Sequence, residues 1–283
     1  MKVLVTGAKG QLGSDIVAEL NKRHIECMGI DIQELDITKK EDVIRFFDEH
    51  DFDRVIHCAA WTQVDKAEDD EYKDLVYKIN VEGTRNLAEN CKRKDIPIMY
   101  FSTDYVFGGE GDKPYNVDDK KNPLGVYADT KYKGELAIIE NVSKFFIIRI
   151  SWVFGDNGVN FIKTMLKLSE THDKLTVVAD QIGSPTYTID LSVLVADMIV
   201  TEKYAVYHAT NEGYVSWADF AREIFKEASK KVEVVDVTTE EYGAKANRPK
   251  NSRLDKSTLD KAGFKRLPSW QDATKRFIEK LER

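Results

Sequence analysis

The segment Gly7-Ala8-Lys9-Gly10-Gln11-Leu12-Gly13 constrains this chain more than any other. It follows a short apolar run, Lys2 to Thr6. It opens a stretch, Gln11 to Arg23, in which Leu12, Ile16, Val17 and Leu20 recur at helical spacing. A strand, a glycine-rich turn and a helix in that order bring backbone close to a diphosphate. The helix N-terminus then offers free N–H groups and the positive end of its dipole. The next apolar run, Ile25 to Ile30, ends at Asp31, 18 residues beyond Gly13. An acid there commonly hydrogen-bonds an adenosine ribose. A glycine triplet alone also fits an ordinary strand-to-helix turn. The ordered strand, loop, helix, strand and acid point instead to dinucleotide binding.

Two features bear on which dinucleotide. Asp31 repels a ribose 2′-phosphate and favours NADH, whereas Lys9 attracts one and favours NADPH. Asp36-Ile37-Thr38 follows the second strand and could floor an adenine pocket; a helix cap at Asp36 or Thr38 is an equal reading that does not exclude the first.

Strand and helix patterns keep alternating. Arg54 to Cys58, Ile96 to Phe101 and Phe145 to Ile150 read as strands. Lys39 to His50, Tyr72 to Lys92 and Leu124 to Asn141 read as helices. Near-continuous apolar strands alternating with helices predict an α/β fold with a doubly wound parallel sheet. Beyond Ser151 the regularity decays. Phe161 to Ser169, Leu191 to Val200, Trp217 to Ala228 and Trp270 to Leu281 read as helices, and Val177-Val178, Val206 to His208 and Val232 to Val237 as short strands. With 283 residues and roughly 150 per domain, residues 1–150 are expected to form the dinucleotide-binding domain. Residues 151–283 are expected to form a smaller α/β substrate domain, with some segments returning to the sheet.

Composition excludes several classes. The net charge is −7, which argues against a nucleic-acid coat. No apolar run approaches the roughly 18–20 residues of a membrane helix. Met1 and Lys2 lead straight into the first strand without a signal peptide, so a cytoplasmic location is expected. Cys27, Cys58 and Cys91 are unclustered and read as buried free thiols of a reducing compartment. The histidines at 24, 50, 57, 172 and 208 have no metal-ligand spacing, so no catalytic metal is expected.

Tyr127 and Lys131 lie four residues apart on a predicted helix and share a face. A tyrosine can protonate a carbonyl oxygen as hydride reaches the carbon, and a nearby ammonium lowers its pKa. The pair could equally lie on a solvated helix face. Its position favours chemistry: the helix follows Ser102-Thr103-Asp104-Tyr105, which leaves the carboxyl end of the fourth strand, where open α/β sheets build their sites. The Thr103 hydroxyl could bond the same carbonyl or close a turn at the strand end.

Together these residues resemble the extended short-chain dehydrogenase/reductase family, essentially from end to end. The more specific blocks are Ala59-Ala60-Trp61-Thr62 leading into Val64-Asp65-Lys66-Ala67-Glu68, Asn80-Val81-Glu82-Gly83-Thr84, and Arg149-Ile150-Ser151-Trp152-Val153-Phe154-Gly155. Asp180-Gln181-Ile182-Gly183-Ser184-Pro185-Thr186 and Arg248-Pro249-Lys250-Asn251-Ser252-Arg253 complete the set. Within that family they look like the 4-ketoreductases of dTDP-L-rhamnose synthesis. The resemblance implies reduction of the 4-keto group of a dTDP-4-keto-6-deoxyhexose by NADPH or NADH. Tyr127 is implied as proton donor, Lys131 as ribose ligand and tuner of Tyr127, and Thr103 as ligand of the reacting oxygen. Gly7, Gly10, Gln11, Leu12 and Gly13 are implied around the pyrophosphate, Asp31 at the adenosine ribose, and Asp36 and Ile37 at the adenine. Ala59, Ala60, Trp61 and Thr62 are implied along the cofactor. Val64, Asp104, Tyr127 and Trp152 are implied against the sugar nucleotide. Trp152 also reads as a core tryptophan.

Arg248, Lys250 and Arg253 are the densest basic cluster near the smaller lobe and read either as a diphosphate site or as a solvated loop. Gly183 and Pro185 shape a turn. Some members of the family form a homodimer around Mg²⁺ held by glutamates; Asp15 stands at one such position, so a metal-linked dimer is doubtful. Two alternatives remain. One is a non-catalytic regulatory relative resembling the β subunit of methionine adenosyltransferase. The other is a reductase or epimerase acting on another nucleotide sugar. The Asp104-Tyr105 pair after Thr103 argues against a dehydratase, which generally has Asp-Glu there.

Overall fold

A computed structural model describes residues 1–282. Strand β1 (Lys2–Thr6) explains the architecture by itself. Val3 and Val5 enter one buried core, and Leu4 enters another on the opposite face. A strand buried on both faces has no polar alternation, which is why its sequence reads as a continuous apolar run.

Five further strands run parallel to it: β2 (Glu26–Ile30), β3 (Arg54–His57), β4 (Ile98–Thr103), β5 (Phe145–Ile150) and β10 (Ala205–His208). Their order across the sheet is β2-β1-β3-β4-β5-β10. The chain moves from β1 to one edge and then returns to β3 on the other side of β1. That reversal splits the loops after β1 and β3 and opens a crevice at the carboxyl ends of the strands. The sheet is the doubly wound parallel one that the alternation predicts.

Helices α1 (Gln11–Lys22) and α8 (Thr188–Ile199) cover one face, and α2 (Lys40–Glu49), α5 (Thr84–Lys94) and α6 (Val126–Asn141) cover the other. Helix α8 and strand β10 come from the second half of the chain and share the core of the first. A third core holds Phe154, Ile162, Val177, Phe220 and Phe277. It is built on α7 (Phe161–Leu168), β7 (Lys174–Val178), α9 (Trp217–Glu227), β12 (Glu233–Val237) and α12 (Trp270–Leu281). The weak pattern past Ser151 has a simple cause. Strands β6 (Val153–Phe154), β8 (Ile182–Gly183), β9 (Thr186–Tyr187) and β11 (Val215–Ser216) are two residues long, too short to show a period.

Two expectations change. The helical run from Tyr72 to Lys92 is three pieces: α4 (Asp70–Tyr77), a wide π turn (Lys78–Gly83) and α5. The turn frees the Asn80 carbonyl, which accepts a 2.8 Å bond from Thr84 Oγ1, and presents the Asn80 side chain to the loop after β3. Of the cysteines, Cys91 is buried, whereas Cys27 and Cys58 are only half-buried.

Candidate active site

The glycine loop is tightened by its neighbours. Gly7 has φ +64°, and a Cβ there would lie 2.7 Å from the Ala59 amide nitrogen. A Cβ at Gly13 would lie 2.2 Å from the Gly7 carbonyl oxygen. Both positions therefore exclude side chains, and the loops after β1 and β3 close on one another. Gly10 precedes α1 without any side-chain cap, leaving the first amides of the helix to the crevice.

One half of that crevice is a cavity of about 310 Å³ lined by Gly7, Gly10, Asp31, Asp36, Ile37 and Ala59. Asp31 accepts the backbone N–H of Lys9 at 3.1 Å and of Ile32 at 2.9 Å. The Lys9 ammonium pairs with Glu34 at 2.9 Å. Asp36 Oδ1 accepts both N–H and O–H of Thr38, at 3.0 and 2.7 Å. This closes a turn and does not cap a helix: α2 starts after Lys39, with no side-chain cap. Asn86 donates to the Ile37 carbonyl at 2.9 Å and fixes the pocket wall.

The other half, about 410 Å³, is lined by the glycine loop, Thr62, Thr103, Asp104, Tyr127, Lys131 and Trp152. Gly7, Gly10, Cys58 and Ala60 line both halves, so the two are one cleft. The solvated-face reading of Tyr127 and Lys131 fails, since Lys131 is 4% exposed. Its ammonium donates to the Phe101 carbonyl at 2.7 Å and lies 4.1 Å from the Tyr100 ring centre. Burial brings its pKa down to about 7, with Glu135 and Cys58 opposing the fall. Burial pushes the Tyr127 phenol up to about 12, with the Thr103 hydroxyl opposing the rise and the Asp104 charge adding to it. Tyr127 is therefore a proton-bearing phenol at neutral pH, and the expected lowering of its pKa by Lys131 is not seen, because burial outweighs every charge near it.

Of its two expected roles, Thr103 is seen in the strand-end turn. It accepts the Tyr105 N–H at 3.3 Å, closing the turn, and donates to Asp104 Oδ1 at 3.0 Å. Asp104 is 2% exposed, and desolvation pushes its pKa up to about 6 although Ser252 and Thr103 lower it. Ser252 is close enough to lower that pKa, yet Asp104 Oδ2 and Ser102 Oγ find no hydrogen-bond partner among the described residues. Buried polar atoms left open at a cleft wall are poised for a ligand.

Trp152 does both: it lines the cleft and packs, half-buried, against the third core. It adopts φ +48°, a conformation costly for a side chain of its size. Thr186 N–H donates to its carbonyl at 3.1 Å, and its indole stacks on Trp217 at 3.6 Å and 15°. A Cβ at Gly183 would lie 2.8 Å from the indole, so Gly183 makes room for it. Asp180–Thr186 thus seats Trp152. Behind Trp217 lies a further cavity of about 220 Å³, lined by Phe161, Gln181, Trp217, Tyr242 and Arg248. Sequence reasoning missed Phe161 and Trp217, because aromatic residues at helix starts look like core.

The basic cluster disperses. Arg248 lines that cavity and pairs with Asp65 at 2.6 Å. Lys250 is held by Glu240 at 2.8 Å and Asp180 at 3.1 Å, and Arg253 donates to Asn251 at 3.0 Å. Trp61 lies beside the cleft: its indole packs on Tyr72 at 5.3 Å and donates to the Gln63 carbonyl, while its amide bonds Asn80 at 2.8 Å. Val64 opens helix α3 (Val64–Ala67) just past Thr62. Gln11 lines the catalytic half and joins the two lobes, donating to the Val153 carbonyl at 3.3 Å and accepting from Asn160 at 3.1 Å. Asp15 accepts from Thr188 at 2.5 Å. No group of three or more His, Cys, Asp or Glu among the described residues is placed to hold a metal.

The chain matches the family described as RmlD substrate binding domain over residues 1–283. The chain belongs to this family. It is 41% identical to a dTDP-4-dehydrorhamnose reductase of Aggregatibacter actinomycetemcomitans over 97% of each chain. The fold superimposes on a crystal structure of such a reductase from Clostridium acetobutylicum with a TM-score of 0.97 and 42% identity, covering 100% of both chains. A Bacillus anthracis reductase of the same name, solved with NADP, gives 0.95 and 42% over 99% of both chains. An RmlD-family chain with this cleft is an NAD(P)H-dependent oxidoreductase. Among the described residues, no helix is long and apolar enough to cross a membrane.

Proposed function

We propose that this chain reduces the 4-keto group of dTDP-4-dehydro-L-rhamnose, forming dTDP-L-rhamnose with NADPH or NADH as reductant. The observation that carries the reading is the convergence of Thr103, Tyr127 and Lys131 at one end of a cleft whose other end is Asp31 and Ile37.

The residues fit a dinucleotide. The close approach at Gly7 and Gly13, the uncapped start of α1 and the open polar atoms at Ser102 and Asp104 form a cradle for one. Asp31 would hold the adenosine ribose, the amides of Gly10 to Leu12 the pyrophosphate, and Lys131 the second ribose. When bound, the nicotinamide supplies hydride to the carbonyl carbon.

Tyr127 delivers its phenolic proton to the carbonyl oxygen, turning C=O into C–OH. Thr103 and Asp104 hold the oxygen-rich face of the sugar, and Trp152 packs against its C–H face. The cavity of Phe161, Trp217 and Arg248 takes the nucleotide: aromatic rings for the base, and a guanidinium for the diphosphate. Residues 151–283 thereby supply much of the substrate side. Phosphate binding by local amides and one arginine is compatible with a net charge of −7.

The test is nicotinamide absorbance after addition of a dTDP-4-keto-6-deoxyhexose and the upstream epimerase. Oxidation is expected, and product analysis separates rhamnose from its 4-epimer, a 6-deoxytalose. No oxidation with either NADPH or NADH overturns the proposal in favour of a non-catalytic binding protein.

A further inference from the structure

Residues 65–68 stand out in the sequence, yet the reduction chemistry gives them no task. Helix α3 lies two residues beyond Thr62, which lines the catalytic half of the cleft. The carboxylates on it and just after it engage two different parts of the site.

Glu68 Oε1 accepts the backbone N–H of Val126 at 2.7 Å. Val126 is the first residue of α6, and Tyr127 follows it. Helix α6 has no cap from its own sequence: the residue before it is Gly125, at φ +89°. A Cβ at Gly125 would stand 2.6 Å from Glu68 Oε1, so glycine is what admits the carboxylate. Glu68 therefore caps the catalytic helix from another element, at the positive end of its dipole.

Asp65 faces the other lobe. Its Oδ2 accepts from Arg248 at 2.6 Å, and its Oδ1 accepts the Ala246 N–H at 3.2 Å. One turn on, Asp69 pairs with Lys245. The Asp65 side chain is 50% exposed, and a pair so open to water adds little to stability. Its effect is to place Arg248, the one cation among the described residues that line the nucleotide cavity.

We infer that Glu68 and Asp65 are positioning residues, Glu68 fixing Tyr127 through the Val126 amide and Asp65 holding Arg248 at the nucleotide cavity. Helix α3 then ties the cofactor loop, the proton donor and the substrate arginine into one unit. Only the ligand assigned to Arg248 rests on the proposed reduction.

The test compares Glu68→Ala, Glu68→Gln and Asp65→Ala with the wild-type chain. It uses hydrogen exchange of residues 125–130, NADPH titration, steady-state reduction and dTDP binding by calorimetry. Glu68→Ala is expected to speed exchange at Val126 about tenfold and lower kcat about tenfold, with NADPH binding and substrate KM within about twofold. Glu68→Gln restores both, because its amide oxygen still accepts the Val126 N–H. Asp65→Ala raises substrate KM and weakens dTDP binding about tenfold, with kcat within about twofold. Unchanged exchange and kcat in Glu68→Ala overturn the capping role, as does a loss shared by Glu68→Gln and matched by a fall in Tm. Unchanged KM and dTDP binding in Asp65→Ala overturn the role at Arg248. A wild-type chain that reduces no dTDP-4-keto sugar sinks the proposed reduction, while the exchange data still decide the capping of α6.

Discussion

Arg149 and Glu135 meet through two parallel 2.8 Å hydrogen bonds, with side-chain exposures of 2% and 1%. Glu135 lies one turn after Lys131 on α6, and Arg149 lies at the end of β5. Arg149 also donates to the Val117 carbonyl at 2.9 Å and rests 5.2 Å from the Phe107 ring centre. Breaking a buried pair leaves the partner charge uncompensated, whereas removing both charges can be nearly neutral. Glu135→Gln or Arg149→Met alone should destabilise the chain by about 3–5 kcal/mol. The double variant should recover most of that in denaturant unfolding, and additive losses would contradict the coupling.

Asp104 makes stability fall as pH rises through a defined window. Its folded pKa, about 6, lies above the ordinary 3.8, because burial disfavours the carboxylate. Between these values the folded state holds a proton that the unfolded state has released, so the Asp104 contribution to stability is greatest below about pH 4 and is lost as pH rises toward 6. Asp104→Asn has no such group. Measured as Tm against pH, it should gain on wild type across that window by on the order of 3 kcal/mol. A gap that does not vary with pH would remove Asp104 as the titrating group.

Trp217 supports the cleft wall from behind through its stack on Trp152. Trp217→Ala should raise the KM for the sugar nucleotide about tenfold, the scale of a lost aromatic contact. NADPH affinity should stay within about twofold, because Trp217 lines the cavity beside Phe161 and Arg248 and neither half of the main cleft. Fluorescence titration with NADPH and steady-state kinetics separate the two effects.

The proposed reduction gives the reactive proton to Tyr127. Tyr127→Phe should keep NADPH affinity nearly intact and cut kcat about a hundredfold or more. Undiminished turnover would take Tyr127 out of the mechanism.

The legible parts of the site share one property: their chemistry is local. Gly7 to Gly13 reads as a phosphate loop because strand, turn and helix are contiguous. Tyr127 and Lys131 read as a pair because an i, i+4 spacing puts them on one helix face. Lys250 and Arg253 looked like anion ligands because they are close in sequence, yet Asp180, Glu240 and Asn251 engage them. Phe161 and Trp217 were invisible as site residues, since nothing in their neighbourhood marks which face a second lobe leaves open.

The sequence by itself determined the parallel sheet, the glycine-rich loop that opens α1 and the shared helix face of Tyr127 and Lys131. Each follows from periodicity or from spacing within one element. Only the tertiary structure decided that Lys131 loses water and drops its pKa to about 7, since that depends on its burial against Phe101 and Tyr100. It also decided that Glu68 caps α6 from 58 residues away and that Asp65 reaches Arg248 across 183. Desolvation and contacts between distant segments belong to the folded chain, and no local pattern encodes them.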